Sequence, residues 1–166
     1  MPAPVVDAPL VSDGWTLYGH SLFLTELEAL ITQVEKLCRK DAQHFHQKNA
    51  TKRLAAIAEL AFKVIPQDPG RAEYRQGASL GDEYTHWFRA KFYQQYRLFF
   101  RYHRQSRIII YGWVNNEDTL RAYGSGTDAY RTFRRMLNSG NPPDDWAQLL
   151  KSAKSESARL RRVAAK

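Results

Sequence analysis

Residues Trp87–Val114, WFRAKFYQQYRLFFRYHRQSRIIIYGWV, form the most informative part of the chain for predicting its fold. They are rich in aromatic and β-branched side chains, which β-strands favour. Two short turns, Tyr93–Gln95 and Gln105–Ser106, interrupt the pattern, and connections this short are typical of antiparallel neighbours. The stretch therefore predicts a meander of three strands, at about Trp87–Phe92, Tyr96–Arg104 and Arg107–Val114.

Predicted helices flank these strands. Apolar residues recur at helical spacing in Ser21–Arg39 and Asn49–Ile65, whereas Trp15–His20 alternates like a short strand. Two further helices are predicted after the meander, one from Thr127 or Asp128 to about Leu137 and one over Asp144–Leu150. This order predicts one α+β domain, in which an N-terminal strand and two helices pack on one face of an antiparallel sheet, with C-terminal helices following.

The predicted domain spans residues 14–150. Residues 1–13 contain three prolines and are expected to form a flexible N-terminal arm, while residues 151–166 form a basic C-terminal tail. Cys38 is the only cysteine, which excludes an intramolecular disulfide and a thiolate metal cluster. No apolar run approaches the roughly 18 residues of a membrane span, and Met1–Leu10 lacks the pattern of a signal peptide. We therefore expect a cytoplasmic protein with no membrane partner.

The charge of the chain indicates a polyanionic partner. There are 25 Lys and Arg residues against 17 Asp and Glu, which gives a net charge of +8. Such an excess attracts nucleic acid, an acidic protein or an anionic membrane, and charge alone does not choose among them. The stretch Tyr84–Asn116 contains no Asp or Glu and six cations, which are Arg89, Lys91, Arg97, Arg101, Arg104 and Arg107.

Side-chain alternation places four of these cations on one face of the predicted sheet. Arg89 and Lys91 share a face in the first strand, and Arg97 shares one with Arg101 in the second. The opposite face is apolar and suits the two early helices. An odd-numbered loop or a bulge after the first strand would place Lys91 beside Arg97. Arg89 would then lie beside Phe99. Like charges opposed across strands are unfavourable, so their clustering favours a phosphate-binding site.

The aromatic rings on this charged face allow more than one interpretation. Trp87 and Phe99 could stack on the bases of single-stranded RNA. Alternatively, the tail or a partner could cover both rings. A solvated face that binds nothing is a third interpretation, although such faces usually mix both signs of charge.

Several short motifs follow one another between residues 14 and 150. They are Gly14-Trp-Thr-Leu-Tyr-Gly-His, Ala50-Thr-Lys, Arg75-Gln-Gly-Ala-Ser-Leu-Gly, Arg89-Ala-Lys-Phe, Tyr96-Arg-Leu-Phe-Phe-Arg-Tyr, Ile110-Tyr-Gly-Trp-Val-Asn, Glu117-Asp-Thr-Leu-Arg-Ala-Tyr-Gly, Thr127-Asp-Ala-Tyr and Pro142-Pro-Asp-Asp-Trp. Taken together and in this order, they resemble the YhaV toxins.

This resemblance implies both a fold and an activity. YhaV toxins belong to the RelE/ParE-like superfamily, so a RelE-like fold is expected. The implied activity is that of a ribonuclease toxin from a type II toxin–antitoxin system, which cleaves mRNA on the ribosome. An antitoxin of the PrlF type is the implied partner, and the toxin–antitoxin complex is expected to bind its own promoter DNA. Residues 1–13 and 151–166 lie outside the resemblance and take no role from it.

RNA can be cleaved without a metal or cofactor when its 2′-OH attacks the adjacent phosphorus. Enzymes that resemble RelE assist this reaction with Lys, Arg and Tyr, which implies the catalytic residues Arg89, Lys91, Arg97, Arg121 and Tyr130. Lys91 could act as the general base if its cationic neighbours favour its neutral form, and Arg97 could clamp the phosphate. The proton donor is either Tyr123 or Tyr130. RNA contacts are expected from Trp87, Phe99, Arg101, Arg104 and Tyr123.

Other interpretations stay open at the level of sequence. A non-catalytic RelE/ParE-like inhibitor, or a general nucleic-acid-binding module, would act through the same basic face. The tail 151–166 is either a solvated, frayed helix or a contact for ribosomal RNA. His44 and His46 suggest a metal site only weakly, because side chains at this spacing diverge on a helix. His86 and His103 either assist proton transfer or are simply exposed at strand ends.

Overall fold

The computed structural model describes residues 9–122 and 125–165. In these ranges the strands are β1 (Leu10–Ser12), β2 (Trp15–Gly19), β3 (Phe88–Phe92), β4 (Tyr96–His103) and β5 (Ile108–Val114). The α-helices are α1 (Ser21–Lys40), α2 (Asn49–Glu59), α3 (Ile65–Gln67), α4 (Ala129–Ser139), α5 (Trp146–Lys154) and α6 (Ser157–Ala164). A π-helical turn, Leu60–Val64, joins α2 to α3. None of the described helices has both the length and the apolar character needed to cross a bilayer.

The strands form one five-stranded sheet in the order β1-β2-β5-β4-β3. The predicted α+β class is confirmed, but the sheet is mixed rather than antiparallel throughout. β2 pairs with β5 in parallel, whereas the other neighbours are antiparallel. The chain leaves β2, passes through the helical layer and re-enters the sheet at its far edge as β3. The β3–β4–β5 meander then brings β5 beside β2 in the parallel direction, which a direct short turn could not do.

The register of β3 and β4 confirms the predicted three-residue connection. Lys91 pairs with Arg97, and Arg89 pairs with Phe99. On the other side of β4, the ladder to β5 shifts after Phe99. Gly112 lies within this irregularity, where an added Cβ would be 2.7 Å from the Trp87 ring. A side chain at Gly112 would therefore displace a fully buried tryptophan.

Helices cover both faces of the sheet. α1 and α2 bury residues such as Phe23 and Ile57 against one face, and α4 and α5 bury Phe133 and Leu149 against the other. The second face is the one on which the cations were predicted. The expectation of an open cationic face is therefore wrong, because the apolar sides of α4 and α5 need the same surface for their own burial.

The two ends of the chain are more ordered than the sequence predicted. Leu10–Ser12, inside the expected arm, is a strand paired with β2, while residues 1–8 lie outside the described ranges. Most of the expected basic tail is helical and packed. Leu160 and Val163 are buried with the residues of α1 and α2, and Arg159 donates to both carboxylate oxygens of Glu28. The frayed-helix interpretation is wrong because α6 has an apolar side that the core covers.

Replacing Leu160 with alanine is expected to destabilise the protein by at least ~2 kcal/mol, because a fully buried leucine leaves a cavity when it is truncated. Chemical denaturation of the purified protein measures this change. Arg162→Ala is the matched control on the exposed side of the same helix, where the expected change is within about 0.5 kcal/mol. Equal stability of both variants would show that α6 is not part of the core.

Candidate functional site

Three of the predicted catalytic cations meet at one end of the sheet. Arg89 and Lys91 lie on β3, and Arg97 lies on β4 directly across from Lys91. Their side chains share a face because alternate residues of a strand point the same way. Arg89 and Arg97 are buried, whereas Lys91 is exposed. Two buried guanidinium groups beside an exposed ammonium give this end of the sheet a concentrated positive charge.

Tyr130 brings the two buried arginines together. Its phenolic oxygen accepts hydrogen bonds from Arg89 Nε at 2.9 Å and from Arg97 Nε at 3.0 Å. Tyr130 reaches this position because it is the second residue of α4 and packs its ring edge-on against Phe99. Among the described residues, no acceptor takes the hydrogen of its hydroxyl group. The hydroxyl group therefore accepts from two cations and can still donate its hydrogen to another acceptor.

Backbone carbonyl groups fix both guanidinium groups in place. Arg89 Nη1 donates to the carbonyl oxygens of Glu73 and Arg75 at 2.7 and 2.9 Å. Arg97 Nη1 donates to those of Gln94 and Tyr96, at the same two distances. In the part of the chain that the structure describes, no protein acceptor takes up either Nη2 group. Each arginine thus has one nitrogen left to bind a phosphate oxygen.

Arg89, Arg97 and Tyr130 form an arginine–tyrosine cluster, and Arg121 completes it by packing on the face of the tyrosine ring. Its Cζ lies 4.8 Å from the centroid of the Tyr130 ring, and its Nη1 donates to Asp128 Oδ1 at 2.7 Å. Asp128 is the N-cap of α4 and also accepts from the backbone N–H of Tyr130. Burial alone would raise the pKa of Asp128, but the hydrogen bonds from Arg121 and the Ala122 N–H outweigh it and lower that pKa. The ionised carboxylate therefore ties Arg121 to the helix that carries Tyr130.

The cluster can be reached from solvent on two sides. One cleft beside Tyr130 is lined by Ser79, Arg121, Ser125, Asp128, Arg131 and Arg134. A second cleft at the open edge of β3 is lined in part by Arg71, Arg75, Arg89 and Lys91. Both clefts carry several cations, so a phosphodiester chain can approach Tyr130 through the first cleft and Arg89 through the second.

The remaining predicted RNA contacts lie elsewhere. Trp87 and Phe99 have no exposed surface, so the prediction that they stack on bases is wrong. Both rings instead pack under α4 and α5. Arg101 is about 13 Å along β4 from Arg97, between the Trp87 and Trp146 rings, and donates to the Asp144 carbonyl. The guanidinium of Arg104, in the turn after β4, lies over the ring of Tyr102. Neither arginine joins the cluster.

The remaining expectations concern the alternative proton donor, the two strand-end histidines and a metal site. Tyr123, the alternative proton donor, lies outside the described residues. His86 Nε2 is 2.6 Å from Asp144 Oδ1, and His103 Nδ1 is 2.7 Å from Ser106 Oγ, so both imidazoles are bonded to groups outside the cluster. Within residues 9–122 and 125–165, no group of three His, Cys, Asp or Glu side chains could hold a metal ion.

Sequence reasoning missed Asn115 and the second role of Asp128. Asn115 Oδ1 accepts from the backbone N–H of Arg97 at 2.7 Å, and its Nδ2 donates to the carbonyls of Gln95 and Thr119. It therefore holds the end of β4 and the segment leading to Arg121. The capping pattern at Thr127 and Asp128 indicated a helix start, but the ion pair with Arg121 has no signal in the sequence.

Comparison with known proteins identifies the family to which this chain is similar. Residues 17–154 match the model of a family described as a toxin with endonuclease activity, of a toxin–antitoxin system. "Toxin YhaV" of Escherichia coli O6:H1 is 43% identical over 146 residues, which cover 87% of this chain and 95% of that protein. "Ribonuclease toxin YhaV" of Escherichia coli K12 gives the same identity and coverage. No solved structure matches the chain.

The matched residues include β3, β4, α4 and every described member of the arginine–tyrosine cluster. The prediction from the sequence motifs is thereby confirmed. The chain belongs to the YhaV family, the ribonuclease toxins of toxin–antitoxin systems.

Proposed function

We propose that this toxin cleaves mRNA at the arginine–tyrosine cluster, without a metal, by attack of the 2′-OH on the adjacent phosphorus. The observation that carries the proposal is the position of the Tyr130 hydroxyl between Arg89 Nε and Arg97 Nε. A phenol between two cations can exchange a proton while the charge that results is neutralised at once. The proton donor of the proposed reaction needs this ability to lose a proton, because it lies beside a phosphate that passes through a negatively charged phosphorane.

The reaction can be written with the residues at hand. Lys91, in its neutral form, takes the proton of the 2′-OH, and the 2′-oxygen forms a bond to phosphorus. Arg89 and Arg97 donate to the phosphorane oxygens, whose negative charge rises in the transition state. The bond from phosphorus to the 5′-oxygen breaks, and Tyr130 protonates the leaving oxygen. The products are a 2′,3′-cyclic phosphate and a 5′-OH. Arg121 acts as a positioning residue, since its guanidinium packs on the Tyr130 ring.

The cellular setting of this activity forms part of the proposal. We place the toxin in the cytoplasm, where it cuts mRNA on the translating ribosome. An antitoxin of the PrlF type neutralises it, and the complex of the two proteins binds promoter DNA. The net charge of +8 and the membership of a toxin–antitoxin family support an RNA substrate and an acidic protein partner.

A cleavage assay with Lys91→Ala tests the proposed chemistry. Lys91 is exposed, so its loss leaves the core intact, and the cleavage rate is expected to fall by about 10²-fold as the general base is removed. Free mRNA is incubated with the protein in EDTA, and mRNA on translating ribosomes is incubated with it in a Mg²⁺ buffer, because ribosomes require Mg²⁺. Lys151→Ala, at an exposed lysine of α5, is the matched control and should cut like the wild type.

The outcomes separate the parts of the proposal. Cleavage of translated mRNA but not of free mRNA supports ribosome dependence, and fragments that end in a 2′,3′-cyclic phosphate and a 5′-OH support metal-independent attack by the 2′-OH. Fragments with 3′-OH and 5′-phosphate ends would contradict the mechanism. Cleavage of free mRNA at the same rate would contradict ribosome dependence alone. Restoration of growth by a co-expressed PrlF-type protein tests the proposed partner, and continued growth arrest would contradict it.

A further inference from the structure

The loop between β3 and β4, whose backbone is hydrogen-bonded to Arg97 and Arg121, carries an exposed aromatic ring. Tyr93 is 54% exposed, and within the described residues only Val11 is a comparably exposed large hydrophobic residue. The Tyr93 hydroxyl makes one long contact, 3.4 Å from the Lys52 carbonyl oxygen. Its ring meets Phe92 edge-on and otherwise faces outward. Packing in the core does not account for an aromatic residue at this position.

The backbone of this loop also disfavours a tyrosine. Tyr93 has φ +44° and Gln94 has φ +63°, in the left-handed region that suits glycine or asparagine. A bulky residue in this region is uncommon, and such outliers cluster at functional sites. A loop chosen for stability alone would carry glycine or asparagine here. The ring is therefore retained at a cost to stability.

Hydrogen bonds hold the loop firmly against the cluster. The Gln94 carbonyl accepts from Arg97 Nη1 at 2.7 Å, and the Gln95 carbonyl accepts from the Arg121 N–H at 2.9 Å and from Asn115 Nδ2 at 3.0 Å. The backbone of the loop is thus fixed relative to Arg97 and Arg121. Lys91, two residues before Tyr93, is exposed, and so is Lys52, whose carbonyl oxygen lies 3.4 Å from the Tyr93 hydroxyl.

We propose that Tyr93 forms a stacking subsite for a nucleobase of single-stranded RNA, next to the phosphate held by the cluster. This inference rests on the proposed function, because it takes RNA as the ligand of Arg89 and Arg97. A base stacks on the exposed face of the ring, and the exposed Lys52 binds a phosphate beside it. The subsite tolerates different bases, since every base offers a flat π-face. Tyr93 thereby has the role that was predicted for Trp87 and Phe99.

Binding of an all-2′-O-methyl RNA, which has no 2′-OH nucleophile, tests the subsite apart from cleavage. Tyr93→Asn removes the ring and suits the left-handed backbone, and Tyr93→Phe is the matched control that keeps the ring. The Kd of the Asn variant is expected to rise about 5- to 150-fold, as the loss of one stacked base predicts. The Phe variant should bind within about threefold of the wild type. The midpoint of thermal unfolding of the Asn variant should equal or exceed that of the wild type.

A fluorescent base gives a second readout. 2-Aminopurine placed along the RNA should be quenched at one position by the wild type and by Tyr93→Phe, but not by Tyr93→Asn. RNA binding and quenching by Tyr93→Asn equal to wild type would overturn the inference. So would an Asn variant that binds RNA normally but is no longer neutralised by the antitoxin, because the ring would then serve the protein partner. Stacking at Tyr93 by a wild-type protein that cuts no RNA would leave the subsite intact and contradict the proposed function.

Discussion

Replacing Tyr130 with phenylalanine is expected to lower the rate of RNA cleavage by about 10³-fold while the protein stays folded. The substitution removes one hydroxyl group, which lies 2.9 and 3.0 Å from the two arginine Nε atoms. The ring can keep its contacts with Phe99 and Arg121. Without the hydroxyl group, the Nε–H groups of Arg89 and Arg97 each lose a hydrogen-bond acceptor. A decrease in stability of about 1–3 kcal/mol is therefore also expected.

The measurement is kcat/KM on a defined RNA, together with the midpoint of thermal unfolding. Tyr18→Phe is the matched control, since Tyr18 lies on β2 and pairs with Ile110 rather than with the cluster. Its kcat/KM should equal that of the wild type. If folded Tyr130→Phe cut RNA within about threefold of the wild type, the proton donor would be another group, and Tyr123 would become the first candidate.

Replacing Asp128 with alanine is expected to destabilise the protein by about 3–5 kcal/mol and to abolish cleavage. The change leaves Arg121 without its buried carboxylate partner, and breaking such a pair is costly. It also removes the cap of α4, the helix that places Tyr130. Chemical denaturation measures the loss. Asp145→Ala is the matched control, because Asp145 caps α5 and is exposed, and a cap alone is worth about 1 kcal/mol.

The stability contributed by Asp128 should also depend on pH. Its pKa in the folded protein is lowered, so its contribution is fully present above the unfolded pKa of about 3.9 and is lost as pH falls through the folded pKa. The difference in unfolding free energy between wild type and Asp128→Asn should therefore be constant at neutral pH and shrink in acid. A difference that stayed constant down to about pH 2 would contradict an ionised Asp128 as the partner of Arg121.

Strand alternation predicted which residues share a face but not which face is open. The pairing of Lys91 with Arg97 follows from an odd-numbered loop, and this was predictable because one strand face is continuously apolar. The other face is covered by α4 and α5 through Phe133 and Leu149, which lie far along the chain from the strands. An amphipathic helix has a local signal, but the partner of its apolar side does not.

The contacts that hold the cluster together are also long-range. Tyr130 lies 41 residues from Arg89 and 33 from Arg97, and no local pattern marks the pairing. The same reason explains the failure at the C-terminus, where Arg159 bonds to Glu28 across 131 residues. A basic segment such as 151–166 resembles a solvated tail until its partner on α1 is known. Composition revealed the charge of these arginines, whereas the fold determined which of them lie beside Tyr130.

The identity of the new RNA ends tests the central claim most directly. Purified wild-type protein is incubated with mRNA and translating ribosomes, and the fragments are mapped by end-specific ligation and phosphatase treatment. Attack by the 2′-OH predicts 2′,3′-cyclic phosphate and 5′-OH ends, which should be reduced about 10³-fold with Tyr130→Phe. Fragments with 3′-OH and 5′-phosphate ends would contradict the account, because water rather than the 2′-OH would then be the nucleophile.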